Sequence, residues 1–310
     1  MSHHELPADH AARMGRVRLA LDGLSIGDAF GQQFFHAEVF VAALKARRPP
    51  LSPWRYTDDT VMALAIREVL DQRGTIDQEL LAQNLAARYR LEPYRGYGSG
   101  ADQLLREIER GTPWQTAAKD LFGGQGSFGN GGAMRVAPVG AYFADDYQQV
   151  VAQARASAEV THAHPEGQAG AIAVAVACAW AYQWRVTGRL PPAAEMLEAA
   201  IAHTPAGPTQ RGLKTALQLG FDEWEHAAAN QLGNGSGVTA PDTVPFCLWC
   251  AAAKLSDFRE ALWSTVQVEG DMDTNCAIVG GIVALAVGRE NVPDKWLRSR
   301  EPLLLSSAPP

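Results

Sequence analysis

Two short acidic segments carry the side chains that are best suited to chemistry. Thr57-Asp58-Asp59-Thr60 directly precedes the apolar run Val61–Val69, and Gly270-Asp271-Met272-Asp273-Thr274-Asn275 directly precedes Cys276–Val287. Each segment therefore falls at the predicted start of a helix. Carboxylate and hydroxyl oxygens are hard ligands that suit Mg²⁺ or Mn²⁺ and suit zinc poorly. If the two helix starts face each other, they form a two-metal site.

Helix capping is the alternative explanation of these acidic segments. Asp and Thr are common N-cap residues, and carboxylates stabilise the positive end of a helix. One cap needs only one side chain, however, whereas four carboxylates crowd these two helix starts. Asp271 and Asp273 are two positions apart, which places both on one side of a non-helical segment. The sequence leaves both explanations open, and the excess of carboxylates favours metal binding.

A glycine-rich segment at residues 123–135 reads GGQGSFGNGGAMR. Glycines permit positive φ angles and expose backbone N–H groups, so such a loop leading into a helix is suited to binding an anion. Phe128 lies inside the loop, where an aromatic ring can stack on a planar base, so we expect a nucleotide-like ligand. A flexible surface loop is the alternative, since the segment matches neither the P-loop nor the dinucleotide motif. Arg135 can pair with a phosphate or with a carboxylate of the site.

Two further motifs contain candidate polar residues. Asp28 lies in Gly27-Asp28-Ala29-Phe30-Gly31, where glycines four apart suit close packing of a helix against another element. His162 lies in Thr161-His162-Ala163-His164-Pro165, which precedes an alanine-rich run. An H-x-H pair can bind a metal, but a cap or a hydrogen-bonded loop histidine is more common. We expect His162 to donate to a phosphate or ribose oxygen.

The elements that must position these residues are predicted to be helices. Apolar periodicity and capping signals predict helices over Val17–Leu24, Thr60–Gln72, Gln78–Tyr89, Gly100–Arg110, Gln149–Glu159, Pro165–Trp184, Ala193–His203, Gly212–His226, Pro245–Lys254, Asp257–Val266 and Asn275–Val287. Alternation at residues 172–178 imitates a strand, but the intervening alanines are apolar and favour a helix. We therefore expect an all-α protein, with one compact domain of crossing helices and the active site on interhelical loops.

Glycine- and proline-rich segments interrupt the chain but do not divide it into separate domains. No composition shift forces a domain boundary, so residues 1–310 are predicted to form one domain, with residues 1–14 and 298–310 as loose tails. Gly233–Gly237 is interpreted as a mobile connection. Cys247 and Cys250 form a C-x-x-C, but no second pair completes a zinc site. We interpret them as buried residues of a helix.

Composition excludes several classes of protein. The 310 residues carry 27 Lys and Arg against 34 Asp and Glu, a formal net charge of −7, which makes general nucleic-acid binding improbable. The N-terminus has no apolar signal region, and the apolar runs are shorter than the ~20 residues of a membrane span. We therefore expect a cytoplasmic protein with no membrane partner.

Taken in order, these motifs resemble those of the ADP-ribosylglycohydrolases, the family of dinitrogenase-reductase-activating glycohydrolase and the ADP-ribosyl-acceptor hydrolases. The resemblance extends from about Val17 to Val287. It implies an all-α fold with a binuclear Mg²⁺ or Mn²⁺ centre. The metal ligands that it implies are Thr57, Asp58, Asp59, Asp271, Asp273 and Thr274.

The resemblance also implies contacts to ADP-ribose. The glycine loop is similar to the family's diphosphate loop, with Phe128 at the position of an adenine-stacking aromatic residue. Gly98 resembles a backbone position under the distal ribose, and His162 resembles a ligand-contacting histidine. The complete set of substrate-binding residues implied in this way is Asp28, Gly98, Gly126, Ser127, Phe128, Gly129, Asn130, Gly131, Gly132 and His162.

One position departs from the family pattern. Several relatives have a glutamate four residues after the second glycine of the Gly27–Gly31 motif, and Phe35 occupies that position here. Arginine-specific relatives also lack this glutamate, so hydrolase activity is still expected. The substitution argues against a serine-type mechanism and leaves Asp59 or Asp271 as the proton acceptor.

The resemblance implies a metal-dependent hydrolase that cleaves the C1″ glycosidic bond between ADP-ribose and an acceptor. The two metals would hold the ribose hydroxyls and activate water. Two alternatives belong to other classes: a non-catalytic or structural relative that binds ADP-ribose, and a two-metal phosphoesterase that cleaves the diphosphate. The acceptor remains open among arginine, serine, a nucleic-acid base, O-acetyl-ADP-ribose and other small conjugates.

Overall fold

A computed structural model of the chain describes residues 6–189 and 192–305. Within them the backbone forms 17 α-helices and no β-strand, which confirms the all-α prediction. In chain order they are α1 His10–Gln32, α2 Ala37–Ala46, α3 Asp58–Arg73, α4 Gln78–Leu91, α5 Ser99–Glu109, α6 Trp114–Gly124, α7 Gly131–Met134, α8 Ala137–Tyr142, α9 Tyr147–Glu159, α10 Pro165–Thr187, α11 Ala194–His203, α12 Pro208–Leu219, α13 Glu225–Leu232, α14 Ala240–Ala253, α15 Phe258–Val266, α16 Met272–Val287 and α17 Asp294–Ser299. None of these helices combines the length and apolar character that a bilayer crossing requires.

Two helices, α10 and α16, form the centre of the core. Both are buried along most of their length, and α16 is buried at every position from Thr274 to Val287. A helix that is apolar on all sides must be covered on all sides. The helices α1, α14 and α15 cover α16, while α7, α8, α9 and α11 cover α10. The run at residues 172–178 is therefore a buried helix, as predicted, and one continuous core joins the described helices.

A stripe of glycines brings α1 unusually close to α16. A methyl group on Gly27 would lie 1.9 Å from the carbonyl oxygen of Cys276, and one on Gly31 would lie 2.2 Å from that of Met272. Toward the start of α1, Gly23 faces Gly280 in the same way. Residue numbers increase along α1 while those of the contacted residues on α16 decrease, so the two helices are antiparallel. The last turns of α1 therefore lie beside the start of α16, as the spacing of the glycines suggested.

The C-terminal segment is packed rather than loose over residues 298–305. The Trp54 N–H donates to Ser299 O at 2.7 Å, and the Glu301 N–H donates to Trp54 O at 2.9 Å. The Trp54 ring is 1% exposed and packs edge-on against Phe30. Residues 10–14 are also ordered, since they form the first turn of α1. The predicted tails are therefore wrong for these residues, while residues 1–5 and 306–310 lie outside the described part of the chain.

Several predicted helix boundaries also need correction. The predicted helix Gly212–His226 is wrong, because the chain breaks after Leu219 at Gly220, whose φ of +75° ends α12. Six helices were not predicted: α2, α6, α7, α8, α13 and α17. Most of these are short or contain glycine or proline. The two acidic segments begin helices as predicted, with α3 starting at Asp58 and α16 at Met272.

The glycine stripe generates a stability prediction. Gly27→Ala forces a methyl group into the backbone of α16 and should lower the free energy of unfolding by about 1–3 kcal/mol or more. Gly15→Ala is the matched control in the same helix, because its added methyl group meets no atom within 4 Å. This control should raise stability by roughly 0.5–1 kcal/mol through helix propensity. Urea denaturation measures both, and equal effects of the two variants would contradict the packing argument.

Candidate metal and ligand site

The start of α3 is held by a carboxylate from a different helix. The N–H and hydroxyl groups of Thr57 and the N–H of Thr60 donate to Asp28 at 2.9–3.1 Å, and the Thr60 hydroxyl donates to it as well. Asp28 belongs to α1 and is completely buried. The N-cap residue Thr57 makes no side-chain cap of its own. Asp28 therefore supplies the cap, and Asp58 and Asp59 are not needed for it.

The start of α16 is held by the preceding loop. The Asp271 N–H and the Asn275 side-chain amide both donate to Asn234 O, at 3.2 and 2.8 Å. A methyl group on Gly235, whose φ is +82°, would lie 2.7 Å from Asp271 Cβ. The segment Gly233–Gly237 therefore packs closely against Asp271 and supports it. Its interpretation as a mobile connection is wrong. Asp271 is the N-cap residue of α16 but makes no side-chain cap bond either.

The two helix starts face each other at the bottom of a cavity. Carboxylate oxygens of Asp28, Asp59 and Asp273 lie within 4.8 Å of one another. Asp59 Oδ1 is buried and has no hydrogen-bond partner among the described residues. Capping therefore does not account for the acidic segments, and a buried carboxylate oxygen is left without a donor. An unpaired buried carboxylate is costly, so this end of the cavity favours either protonation of the carboxylates or a bound cation.

The carboxyl groups at the acidic end have raised pKa values. Burial, followed by the negative charge of Asp28, raises the pKa of Asp58 to about 7. Burial and the neighbouring carboxylates raise the pKa of Asp59 and of Asp273 well above the usual range. Burial also raises the pKa of Asp28, to about 6, although the threonine hydrogen bonds oppose this shift. Burial is the largest cause for each group, and the like charge of neighbouring carboxylates adds to it at Asp58, Asp59 and Asp273.

Most of the predicted site residues line one cavity of about 330 Å³. The acidic end of the cavity is formed by the aspartates, and the glycine loop forms another wall. The predicted residues that the structure brings together here are Asp58, Asp59, Asp271, Asp273, Thr274, Gly98, Ser127, Gly129, Asn130, Gly131 and His162. Thr57 lies just behind them, with its hydroxyl 2.9 Å from both Asp28 and Asp59.

Four predicted substrate contacts do not line the cavity. Asp28 is completely buried and its oxygens accept from the first turn of α3, so its role in substrate binding stays a prediction. Gly126 and Gly132 pack against other backbone segments, near Ala163 and Gly167 respectively. The Phe128 ring is 40% exposed and lies beside His164, with 5.3 Å between ring centroids.

The glycine loop is fixed by pairing with the start of α14. The Asn130 N–H donates to Val238 O, and the Ala240 N–H donates to Phe128 O. The Asn130 side chain donates to Asp271 Oδ2 at 2.6 Å, which ties the loop to the acidic end. Within the described residues, the N–H groups of Gly131 and Gly132 have no acceptor. The loop is therefore rigid and offers two free backbone donors.

The structure adds cavity residues that the sequence did not reveal. Phe122 and Val238 both line the cavity, both are more than half exposed, and both have a left-handed backbone, with φ of +53° and +49°. Bulky residues rarely adopt this conformation, and such strain is concentrated at functional sites. The Gly123-Gly124 pair after Phe122 is a sequence signal for an irregular backbone, whereas nothing in the sequence marks Val238.

The histidine pair divides into two roles. His164 is the N-cap residue of α10, and its side chain accepts from the Glu166 N–H. His162 lines the cavity, and burial together with the positive charge of Arg135 lowers its pKa to about 3. Arg135 itself is completely buried, which lowers its pKa to about 10. His162 is therefore a neutral imidazole, while His164 acts as a cap.

Phe35 occupies the position at which several relatives carry a glutamate. It lies in the 3₁₀ turn Gln33–Phe35, is 49% exposed, and does not line the cavity. The aspartates are thus the carboxylates that the described structure places at the cavity. The cysteines of the C-x-x-C, Cys247 and Cys250, are buried free thiols of α14, as the sequence indicated.

Comparisons with known proteins identify the family of this chain. The sequence profile of the ADP-ribosylglycohydrolase family matches residues 9–305. The chain is 28% identical to the mouse (Mus musculus) protein "ADP-ribosylhydrolase ARH3", over 94% of this chain and 89% of that protein. It is 23% identical to "ADP-ribosylarginine hydrolase Tri1" of Serratia proteamaculans, over 92% and 75% of the two chains. A solved structure titled "ADP-ribosylglycohydrolase-related protein complex" superposes with a TM-score of 0.65 at 26% identity, covering 93% of each chain. The chain belongs to the ADP-ribosylglycohydrolase family.

Proposed function

We propose that this protein is a divalent-cation-dependent hydrolase that releases ADP-ribose from an acceptor by cleaving the C1″ glycosidic bond. One observation carries the proposal. Aspartates from two helix starts, which repel one another and are not used as helix caps, meet at one end of a cavity. One wall of the same cavity is the rigid glycine loop with its free N–H groups. A cation-binding end and an anion-binding wall in one cavity fit a substrate that joins a ribose to a diphosphate. The names of the relatives support the same substrate class.

The acidic end fits two Mg²⁺ or Mn²⁺ ions. It offers hard oxygen donors only, and Asp59 Oδ1 has no protein partner. The six residues that would hold the ions are Thr57, Asp58, Asp59, Asp271, Asp273 and Thr274. When bound, such ions supply Lewis-acid stabilisation of developing negative charge and orient the ribose.

The remaining walls of the cavity fit the other parts of ADP-ribose. The free N–H group of Gly131 and the nearby Ser127 hydroxyl are donors for the diphosphate. His162 adds a donor beside them, and Gly98 lines the wall formed by the start of α5. Phe122 in the cavity, and Phe128 at its edge, offer the aromatic faces for the adenine.

Asp271 is the better placed of the two candidate proton acceptors. Asp59 is 1% exposed and lies within the carboxylate cluster, whereas Asp271 is only partly buried and lines the cavity. One Asp271 oxygen accepts from Asn130, which fixes the carboxylate and directs the other oxygen elsewhere. A fixed and partly accessible carboxylate is suited to accept a proton from an attacking water.

The proposal predicts that activity requires the aspartates. Asp58→Asn and Asp271→Asn should each lower turnover more than about a hundredfold, because even residues that only support a metal site cost ~10–100-fold. The substrates are a panel of ADP-ribosylated arginine, serine, nucleic-acid base and O-acetyl-ADP-ribose, with Mg²⁺ or with EDTA, read by mass spectrometry. Asp146→Asn is the control, since Asp146 caps α9 away from the cavity and asparagine caps equally well.

Each outcome of this panel separates the hypotheses. Release of intact ADP-ribose supports glycosidic cleavage, and AMP would instead show a phosphoesterase. Full turnover by either active-site variant in EDTA would refute the cation mechanism. Calorimetric binding of ADP-ribose without turnover on any acceptor would identify a non-catalytic binding protein.

The raised carboxyl pKa values predict a stability loss on raising the pH without cations. A native carboxyl whose pKa exceeds its unfolded value binds more protons than the unfolded chain, so stability falls as pH rises through the native pKa. For Asp58 that native pKa is about 7. The lowered pKa of His162 acts in the opposite direction, but most of its contribution is present above 6.5, the ordinary pKa of histidine in the unfolded chain.

In EDTA, the melting temperature should therefore fall between pH 6.5 and about 8, and Mg²⁺ should remove most of this fall by neutralising the carboxylates. Differential scanning fluorimetry measures both conditions. Asp58→Asn should flatten the dependence in EDTA. A melting temperature that rises with pH in EDTA would contradict the electrostatic argument.

A further inference from the structure

Arg135, Thr161 and His162 form a continuous chain of hydrogen bonds in the wall of the cavity. Arg135 Nη2 donates to Thr161 Oγ1 at 2.7 Å, and Thr161 Oγ1 lies 2.7 Å from His162 Nδ1. The three side chains are at most 7% exposed, and all three line the cavity. Arg135 Nη2 also donates to Ser157 O at 3.0 Å, which fixes the guanidinium. The chain begins at a fully buried cation and ends at the imidazole.

The direction of each bond follows from what the groups can donate. A guanidinium has no acceptor, so Thr161 Oγ1 accepts from Arg135. The Thr161 hydroxyl then has one hydrogen of its own, and His162 Nδ1 is the acceptor that the structure places within reach of it. If Nδ1 carried a proton, it could donate to the second lone pair of Thr161 Oγ1, but the buried hydroxyl hydrogen would then have no acceptor among the described residues, which is costly. His162 Nδ1 is therefore an acceptor.

The His162 ring is packed closely against two glycines. On one side, a methyl group on Gly167 would lie 2.9 Å from His162 Cβ and 3.0 Å from Cδ2. On the other side, one on Gly131 would lie 3.2 Å from Cε1 and 3.4 Å from Nε2. The ring is thus held between α10 and the glycine loop. Nε2 makes no hydrogen bond within the described part of the chain and lies beside the loop whose Gly131 N–H is free.

We propose that Thr161, oriented by Arg135, is a positioning residue that keeps neutral His162 in the tautomer with hydrogen on Nε2, so that the ring presents a donor to a phosphate or ribose oxygen of the ligand. This inference rests on the proposed function for the identity of the ligand, but the tautomer itself is a property of the free protein. With the hydrogen on Nδ1, Nε2 would present a lone pair to the lone pairs of the ligand oxygen and repel it. The position of one proton therefore decides whether this wall attracts or repels the substrate.

The test compares Thr161→Val, which keeps the shape and removes the hydroxyl, with Thr161→Ser, which keeps the hydroxyl. Long-range ¹H–¹⁵N spectra of histidine-labelled protein report which ring nitrogen carries hydrogen. The wild type and Thr161→Ser should show hydrogen on Nε2, whereas Thr161→Val should shift His162 toward the other tautomer. Calorimetry should show ADP-ribose affinity falling roughly tenfold in Thr161→Val and little in Thr161→Ser.

Thr204→Val is the matched control for loss of a buried threonine hydroxyl. Thr204 is 3% exposed and donates to Ala200 O, and its loss should change neither the His162 spectrum nor the affinity. Hydrogen on Nδ1 in the wild type would overturn the inference, as would unchanged tautomer and affinity in Thr161→Val. If Thr161→Val does not fold, the tautomer of the wild type and the affinity of Thr161→Ser decide the matter. If no form binds ADP-ribose, the proposed function is wrong, and the spectra alone judge the tautomer.

Discussion

The architecture depends on one constraint, the burial of several carboxylates at a single point. Like charges in a poorly hydrated site raise one another's pKa, as Asp58, Asp59 and Asp273 show, so their closeness must be imposed by the rest of the fold. The glycine stripe imposes it on one side, because Gly31 lets the end of α1 touch the start of α16 beside Asp273. Asp28, one turn earlier on α1, then captures the start of α3. A single close helix contact thus brings both acidic segments to the same place.

The segments around the cavity are braced by parts of the chain that are remote in sequence. The Glu301 carboxylate accepts from the Tyr56 N–H and from the Arg95 side chain, and the Asp58 N–H donates to Arg95 O. The C-terminal segment therefore supports both the approach to α3 and the loop before Gly98. On the opposite side, Asn234 supports Asp271 through the loop before α14. The acidic end of the cavity is held from several directions because its own charges oppose assembly.

The sequence predicted the features that depend on residues close together in the chain. Apolar periodicity located most long helices, and the excess of carboxylates over what two caps need identified the acidic end of the cavity. It did not show that Asp28 supplies the cap of α3, because only the packing of α1 on α16 brings the two together. Long-range packing also explains why the C-terminal segment was predicted to be a loose tail. Its hydrogen bonds to Trp54 come from a part of the chain that is remote in sequence. Val238 was missed because a left-handed valine has no sequence signature.

The net charge of −7 is a property of the whole chain and does not describe the local charge at each wall of the ligand site. The donors at the cavity wall are the N–H group of Gly131, the Ser127 hydroxyl and a neutral His162, none of which contributes to the formal charge. These donors are joined to the acidic end through Asn130, which lies in the glycine loop and holds Asp271. Whatever orders Asp271 therefore also orders the loop, and the converse holds because coupling between sites is reciprocal. A cation at the aspartates and an anion at the loop then favour each other by direct attraction as well as through this shared residue. Under the proposed function, an acidic chain can in this way bind a diphosphate, because the cations would neutralise both the aspartates and the anionic ligand.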